Sequence, residues 1–209
     1  MCAIFGCALD KATSYQKQLL EAIGRESQIR GKHSTGISYI RFGVIRTVIK
    51  TVPSNLFFDE VIEWKSPDNL RLIGHCRYPT SALRFNQPLH SPELSMVHNG
   101  VISQLPKERW FDEFGLQTET SNDSELILRA VEQGLDPIKY FPDASIAMAT
   151  LTKEGDIHVQ RNGKRPCHFH PVENGFFFFS TKSIGVRAGV PEEDIIKVKS
   201  YGKEHIEYN

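Results

Sequence analysis

Hydrophobic and polar positions change period several times along this chain. Cys2 to Leu9 is a nearly unbroken apolar run stopped by Asp10, which predicts a buried strand. Ser14 to Gln28 has helical spacing, with Leu19, Leu20 and Ile23 on one side, and Arg30-Gly31 marks its expected end. Ile37 to Ile40 and Val44 to Val52 read as a strand pair turning near Phe42-Gly43. Leu56 to Trp64 suits a short helix and Leu70 to Cys76 a strand. A polar, proline-containing stretch then runs from Arg77 to Pro92, and Leu94 to His98 is a short buried strand. Asn122, with Glu125 three residues on, predicts a helix start, and Leu126, Ile127, Ala130 and Val131 supply its apolar face. From there strands dominate: Ala144 to Leu151, Ile157 to Gln160, Phe176 to Ser180 and Ile195 to Val198.

Few helices among strands in hairpin-like succession point to an α+β fold, with sheets sandwiched by helices and no βαβ repeat. The 209 residues show no internal repeat and no low-complexity linker, so one domain over 1–209 is expected. A chain of this size hides roughly 70% of its unfolded surface.

Charge narrows the function classes. Lys+Arg and Asp+Glu both count 25, giving zero formal net charge. That argues against a nucleic-acid-coating protein and against a polybasic membrane binder. No apolar run approaches the roughly 20 residues of a spanning helix. Four cysteines stand at positions 2, 7, 76 and 167, and no export signal precedes the first apolar run. Reduced thiols and a cytoplasmic location are therefore expected. Cys167-His168-Phe169-His170 reads either as metal ligands or as alternation on a strand; no second Cys/His pair has zinc-finger spacing, so neither metal nor cofactor is expected.

Cys2 has two readings. As an arbitrary cysteine it is a small buried hydrophobe. Behind Met1, however, removal of the methionine leaves a thiol and a free α-amine on one residue. The amine has a reference pKa of roughly 7.7–8.0 and the thiol roughly 8.5, so the amine is a usable general base.

Met1-Cys2-Ala3-Ile4-Phe5-Gly6 resembles the start of class II glutamine amidotransferase domains, a branch of the N-terminal-nucleophile (Ntn) hydrolases. Further segments match that family in order. Arg30-Gly31-Lys32-His33-Ser34-Thr35-Gly36 is similar to its Arg-Gly-x-acid-Ser/Ala-x-Gly. Gly74-His75-Cys76-Arg77-Tyr78-Pro79-Thr80 resembles its Gly-His-x-Arg-Tyr/Trp-x-Thr, and Val97-His98-Asn99-Gly100 its His-Asn-Gly. Ser121-Asn122-Asp123-Ser124-Glu125 looks like its Ser-Asp-Ser/Thr-Glu with one residue more. Arg161-Asn162-Gly163-Lys164-Arg165-Pro166 and Phe179-Ser180-Thr181 also sit where the family has comparable stretches. Arg77 to Thr80, with Asn86-Gln87-Pro88, is most like the glutaminase half of phosphoribosylpyrophosphate amidotransferases, and next that of glucosamine-6-phosphate synthases.

The resemblance implies a four-layer αββα sandwich of two mostly antiparallel sheets, the Ntn hydrolase fold. It implies hydrolysis of L-glutamine to glutamate and ammonia, with Cys2 as nucleophile. Asn99 (side-chain NH₂) and Gly100 (backbone N–H) are its oxyanion donors, although Asn-Gly alone also reads as a hairpin turn. Arg77 is the candidate for the substrate α-carboxylate and Asp123 for the α-ammonium. Standing alone, the first is a solvated charge and the second a helix-terminus contact. Tyr78 and Thr80 resemble the pocket wall. Arg30, also grouped with the substrate-binding residues, resembles the residue that helps hold the N-terminal segment. His33 departs from the family's acid. The relatives fuse this domain to a synthase, and the length of this chain leads us to expect none here. A separate synthase or acceptor subunit and a homo-oligomer are the partner expectations, with no nucleic acid and no membrane. Two rivals stay open: hydrolysis of another γ-glutamyl amide, and a non-catalytic glutamine-sensing subunit.

Overall fold

The computed structural model describes residues 1–78, 86–200 and the backbone of 203–204. Thr80, expected in the pocket wall, lies outside the described residues, as does much of the polar stretch after Arg77.

The strands in chain order are β1 (Ala3–Leu9), β2 (Ser34–Arg41), β3 (Val44–Lys50), β4 (Leu70–Arg77), β5 (Leu89–His90), β6 (Leu94–Val101), β7 (Ser145–Thr152), β8 (Ile157–Arg161), β9 (His168–Val172), β10 (Gly175–Phe179), β11 (Ile196–Lys197) and β12 (Lys203–Glu204). The helices are α1 (Ser14–Glu26), α2 (Ser54–Glu60), α3 (Trp110–Phe114), α4 (Glu125–Glu132), α5 (Pro137–Tyr140) and α6 (Lys182–Arg187). One sheet has seven strands in the order β11-β9-β10-β1-β4-β2-β3, the other five in the order β12-β8-β7-β6-β5. Every pairing among the described residues is antiparallel.

Three apolar cores separate four layers. In the first, Leu20 and Ile23 of α1, Phe57 and Phe58 of α2 and Ile184 of α6 pack on Phe5, Cys7 and Leu9 of the seven-stranded sheet. In the second, Ile4, Ile73 and Phe178 of that sheet meet Val97, Ala147 and Ala149 of the other. In the third, Leu126, Ile127 and Ala130 of α4 cover Met96, Ile146 and Met148. The result is the expected αββα sandwich. β1 lies centrally between β10 and β4, so successive side chains enter different cores and its sequence does not alternate.

Several local expectations shift. α1 is started by Thr13, whose hydroxyl accepts from Gln16 N while the Gln16 side chain accepts from Thr13 N. This reciprocal cap satisfies two backbone donors at the helix start, those of Thr13 and Gln16. Gly31 does not end the helix by a left-handed turn. An added Cβ there would lie 2.4 Å from the Arg77 carbonyl carbon, so glycine is needed for close approach to the Arg77–Tyr78 peptide. At α4, Asn122 Oδ1 accepts from Ser124 N, but Glu125 does not reach back to Asn122. It instead accepts from the backbone of Glu119 and Thr120 and from the Thr120 hydroxyl. Burial opposes ionisation of Glu125, yet those bonds and Arg129 together hold its pKa below the usual value. Among the described residues no helix is long and apolar enough to cross a membrane.

Candidate active site

The two sheets bring together residues that lie far apart in the chain. Ala3 of β1 pairs with Cys76 of β4, so Cys2 and Arg77 emerge side by side from the end of that ladder. Cys2 Sγ lies 3.6 Å from the Tyr78 carbonyl, and Arg30 Nε donates to the Cys2 carbonyl at 2.8 Å. From the facing sheet, β6 supplies His98, Asn99 and Gly100. The turn before α4 supplies Asn122, Asp123 and Ser124. Cys2, Arg77, His98, Asn99, Gly100 and the three residues of that turn line one cavity of about 180 Å³, together with Met1, His75, Tyr78, Gln87, Val101 and Arg165.

The polar geometry is uneven. Asn99 is 4% exposed, and its Nδ2 is buried with no hydrogen-bond partner. A native protein rarely leaves a buried amide donor unmet, and leaving one costs about 1–3 kcal/mol. Gly100 is sterically obligatory, because a Cβ there would sit 1.7 Å from the Ser145 carbonyl oxygen. Asp123 Oδ2 accepts from Ile102 N at 2.7 Å and Ser103 N at 3.4 Å, which anchors the carboxylate and leaves Oδ1 for another donor. Arg77 is 6% exposed and donates through Nη1 to Asn86 Oδ1 at 2.9 Å. Burial lowers its pKa and the neighbouring Cys2 thiol opposes that shift.

Two sequence-derived candidates sit at the margin. Tyr78 is half exposed at the rim, its ring edge-on to His33 at 5.6 Å between centroids. His33, the departure from the family's acid, therefore touches the rim, and its N–H donates to the Arg77 carbonyl. Arg30 grips the N-terminal residues from outside the cavity lining: besides Cys2 O, its Nη2 lies 3.6 Å from Met1 Sδ. Arg165 Nη1 approaches the same sulfur at 3.9 Å. Sequence reading assigned no site role to Arg165, Gln87 or Ser124; each lay inside or beside a quoted motif.

His75 and His98 are buried in the cavity wall, and burial disfavours their charged forms. Burial, reinforced by Arg77 and His98, pushes His75 down to about 3. Burial also lowers His98; Asp123 and the Ser145 carbonyl pull the other way, and Arg165 adds to the lowering. In the unfolded chain both histidines take a proton near pH 6.5, whereas in the folded chain each takes it only at lower pH. Stability must therefore fall as pH drops below about 6.5, by up to about 1.4 kcal/mol per pH unit for each histidine. Urea unfolding at pH 7 and pH 5 should show a clear loss of midpoint at pH 5. An unchanged or higher midpoint would contradict neutral burial.

No protein-family model and no curated protein matches this sequence. Solved structures do match. The glutamine phosphoribosylpyrophosphate (PRPP) amidotransferase from B. subtilis, complexed with ADP and GMP, aligns at a TM-score of 0.70 and 18% identity, over 94% of this chain and 44% of that one. A structure described as the allosteric regulatory enzyme of purine biosynthesis aligns at 0.67 and 17% identity, over 95% and 44%. A glutamine aminotransferase class-II domain protein from Silicibacter pomeroyi aligns at 0.54 and 12% identity, over 96% and 92%. The chain thus spans less than half the length of the first two. With two antiparallel sheets between helical layers and a cysteine at the mouth of the central ladder, this chain has the fold of class II glutamine amidotransferase domains, the αββα sandwich of the Ntn hydrolases.

Proposed function

We propose that this chain releases ammonia from L-glutamine through a thioester on Cys2. The observation that carries this reading is convergence. One cavity holds a thiol, an unpartnered amide donor, a buried guanidinium and an anchored carboxylate. At about 180 Å³ it is smaller than the roughly 300–1,000 Å³ of drug-sized pockets, which suits a ligand of amino-acid size. The fold likeness supports the same general class.

Met1 is removed, and the Cys2 α-amine takes the thiol proton, through a water. The thiolate adds to the glutamine amide carbon, and the carbonyl oxygen becomes an oxyanion held by Asn99 and Gly100. The amide nitrogen gains the proton, the C–N bond breaks and ammonia leaves. Water then adds to the thioester, glutamate departs and the thiol is restored. Arg77 holds the α-carboxylate and Asp123 the α-ammonium, so two opposite local charges suffice in a chain of zero net charge. The ammonia passes to a separate synthase or acceptor subunit.

The test is incubation with glutamine, measuring glutamate and ammonia, beside the intact mass of the purified chain. Expected are equimolar products and loss of one methionine. Arg77→Ala should raise KM by about 10–100-fold while changing kcat little, because a charge-assisted contact at the non-reacting end is worth about 1.5–3 kcal/mol. An unchanged KM would remove Arg77 from substrate binding. Met1 in the cavity wall favours one rival, in which the methionine stays and the chain senses glutamine without turnover. Retained Met1 with glutamine binding but no ammonia would decide for it. A panel of γ-glutamyl amides separates the other rival.

A further inference from the structure

Oxyanion donors act by being fixed before charge develops. Beside Asn99 and Gly100, in the wall of the same cavity, lies a buried network with Gln87, 7% exposed, at its centre. Gln87 Oε1 accepts the His98 backbone N–H at 2.6 Å, and its Nε2 donates to Ser124 Oγ at 3.3 Å. Ser124 Oγ in turn stands 2.9 Å from His98 Nδ1. His98 Nε2 faces the Ser145 carbonyl at 3.1 Å. A carbonyl only accepts, so Nε2 carries the hydrogen and Nδ1 accepts from Ser124. The Ser145 carbonyl is the group that lies against Gly100. Each member also adjoins a residue of the site. Asn86, next to Gln87, accepts from Arg77; Ser124 follows Asp123; His98 precedes Asn99.

We infer that Gln87 is a positioning residue, which locks the segments holding the two ends of the amino acid to the strand end that carries the oxyanion donors. The inference rests on the glutamine reading above. It depends on one group that both accepts from a backbone N–H and donates to a hydroxyl, which a primary amide does and a carboxylate does not. In Gln87→Glu the acceptor remains and the donor is lost. Ser124 then turns its hydrogen to the new carboxylate, and His98 Nδ1 loses its donor and takes up a proton. Among the described residues, the charged or titratable groups that face His98 are Asp123, Arg165 and His75.

Gln87→Ala and Gln87→Glu are compared with wild type by glutamine kinetics and by nitrogen-15 NMR of the His98 imidazole. A displacement of about 1 Å at a reacting centre can cost on the order of 10²-fold. Gln87→Ala should therefore lower kcat by at least about 10-fold, with a smaller change in KM. In Gln87→Glu, which keeps the buried His98 N–H satisfied, the His98 resonances should move from the neutral Nε2–H pattern to that of imidazolium at neutral pH. Adding Ser124→Ala to Gln87→Ala should cost less than Ser124→Ala costs alone, because both break one network. Wild-type kcat in Gln87→Ala, or a native His98 spectrum in Gln87→Glu, overturns the inference while leaving the glutamine reading in place. A wild-type chain that binds glutamine and releases no ammonia overturns the glutamine reading itself.

Discussion

Cys2→Ala should abolish ammonia release from glutamine, with a fall on the order of 10⁴–10⁶-fold, the range seen when a covalent nucleophile is removed. Alanine is also small enough for Met1 to be cleaved, so the variant keeps the α-amine and tests the thiol alone. The other cysteines offer no substitute. Cys7, Cys76 and Cys167 are wholly buried. Burial drives the Cys7 thiol far up, and drives that of Cys76 up to about 12. A thiol held that high carries almost no thiolate at neutral pH. A small alkylating reagent should therefore modify the folded wild-type chain once, at Cys2, and the variant not at all. Peptide mapping locates the adduct. Ammonia release at the wild-type rate by Cys2→Ala would end the thioester mechanism, and alkylation at another cysteine would end the argument that only Cys2 is reactive.

Much of this arrangement was legible in the sequence because it depends on local signals. The apolar run over Cys2 to Leu9 is β1, and the helical spacing of Leu19, Leu20 and Ile23 is the buried face of α1. The adjacent triplet His98-Asn99-Gly100 could be tied to one strand end without knowing what faces it. What was not legible depends on long-range contacts. Gly31 looked like a helix stop, and only the approach of the Arg77–Tyr78 peptide explains it. β9 was legible only as the alternation over Cys167 to His170, because Pro171 breaks the strand pattern and its side chains are only partly buried. Asn162 carried no role in the sequence beyond its place in a quoted segment, yet its side chain accepts from Ile146 N and donates to the Ala144 carbonyl. It thereby fixes the start of β7, where Ser145 backs Gly100. Gln87 carries no signal of its own role, since its two partners, His98 and Ser124, come from segments that meet it only in the folded chain.

Asn99→Ala should lower kcat by about 10²–10³-fold while leaving KM for glutamine nearly unchanged. An oxyanion donor is worth about 3–4 kcal/mol in the transition state and contributes little to the ground-state complex. The same substitution carries an unusual expectation for stability. Truncating a buried polar residue commonly destabilises, because a partner is left unmet. Here the Nδ2 of Asn99 has no partner to lose. Its removal deletes an existing desolvation cost, which offsets the packing lost with the side chain. Thermal unfolding of Asn99→Ala should therefore match or exceed that of wild type, while turnover collapses. A large drop in melting temperature would mean that Asn99 is a structural residue bonded within the fold. Unchanged turnover would mean that the oxyanion is held elsewhere. A stable, inactive variant is the signature of a group held in an unfavourable resting state for the sake of a charge that exists only during the reaction.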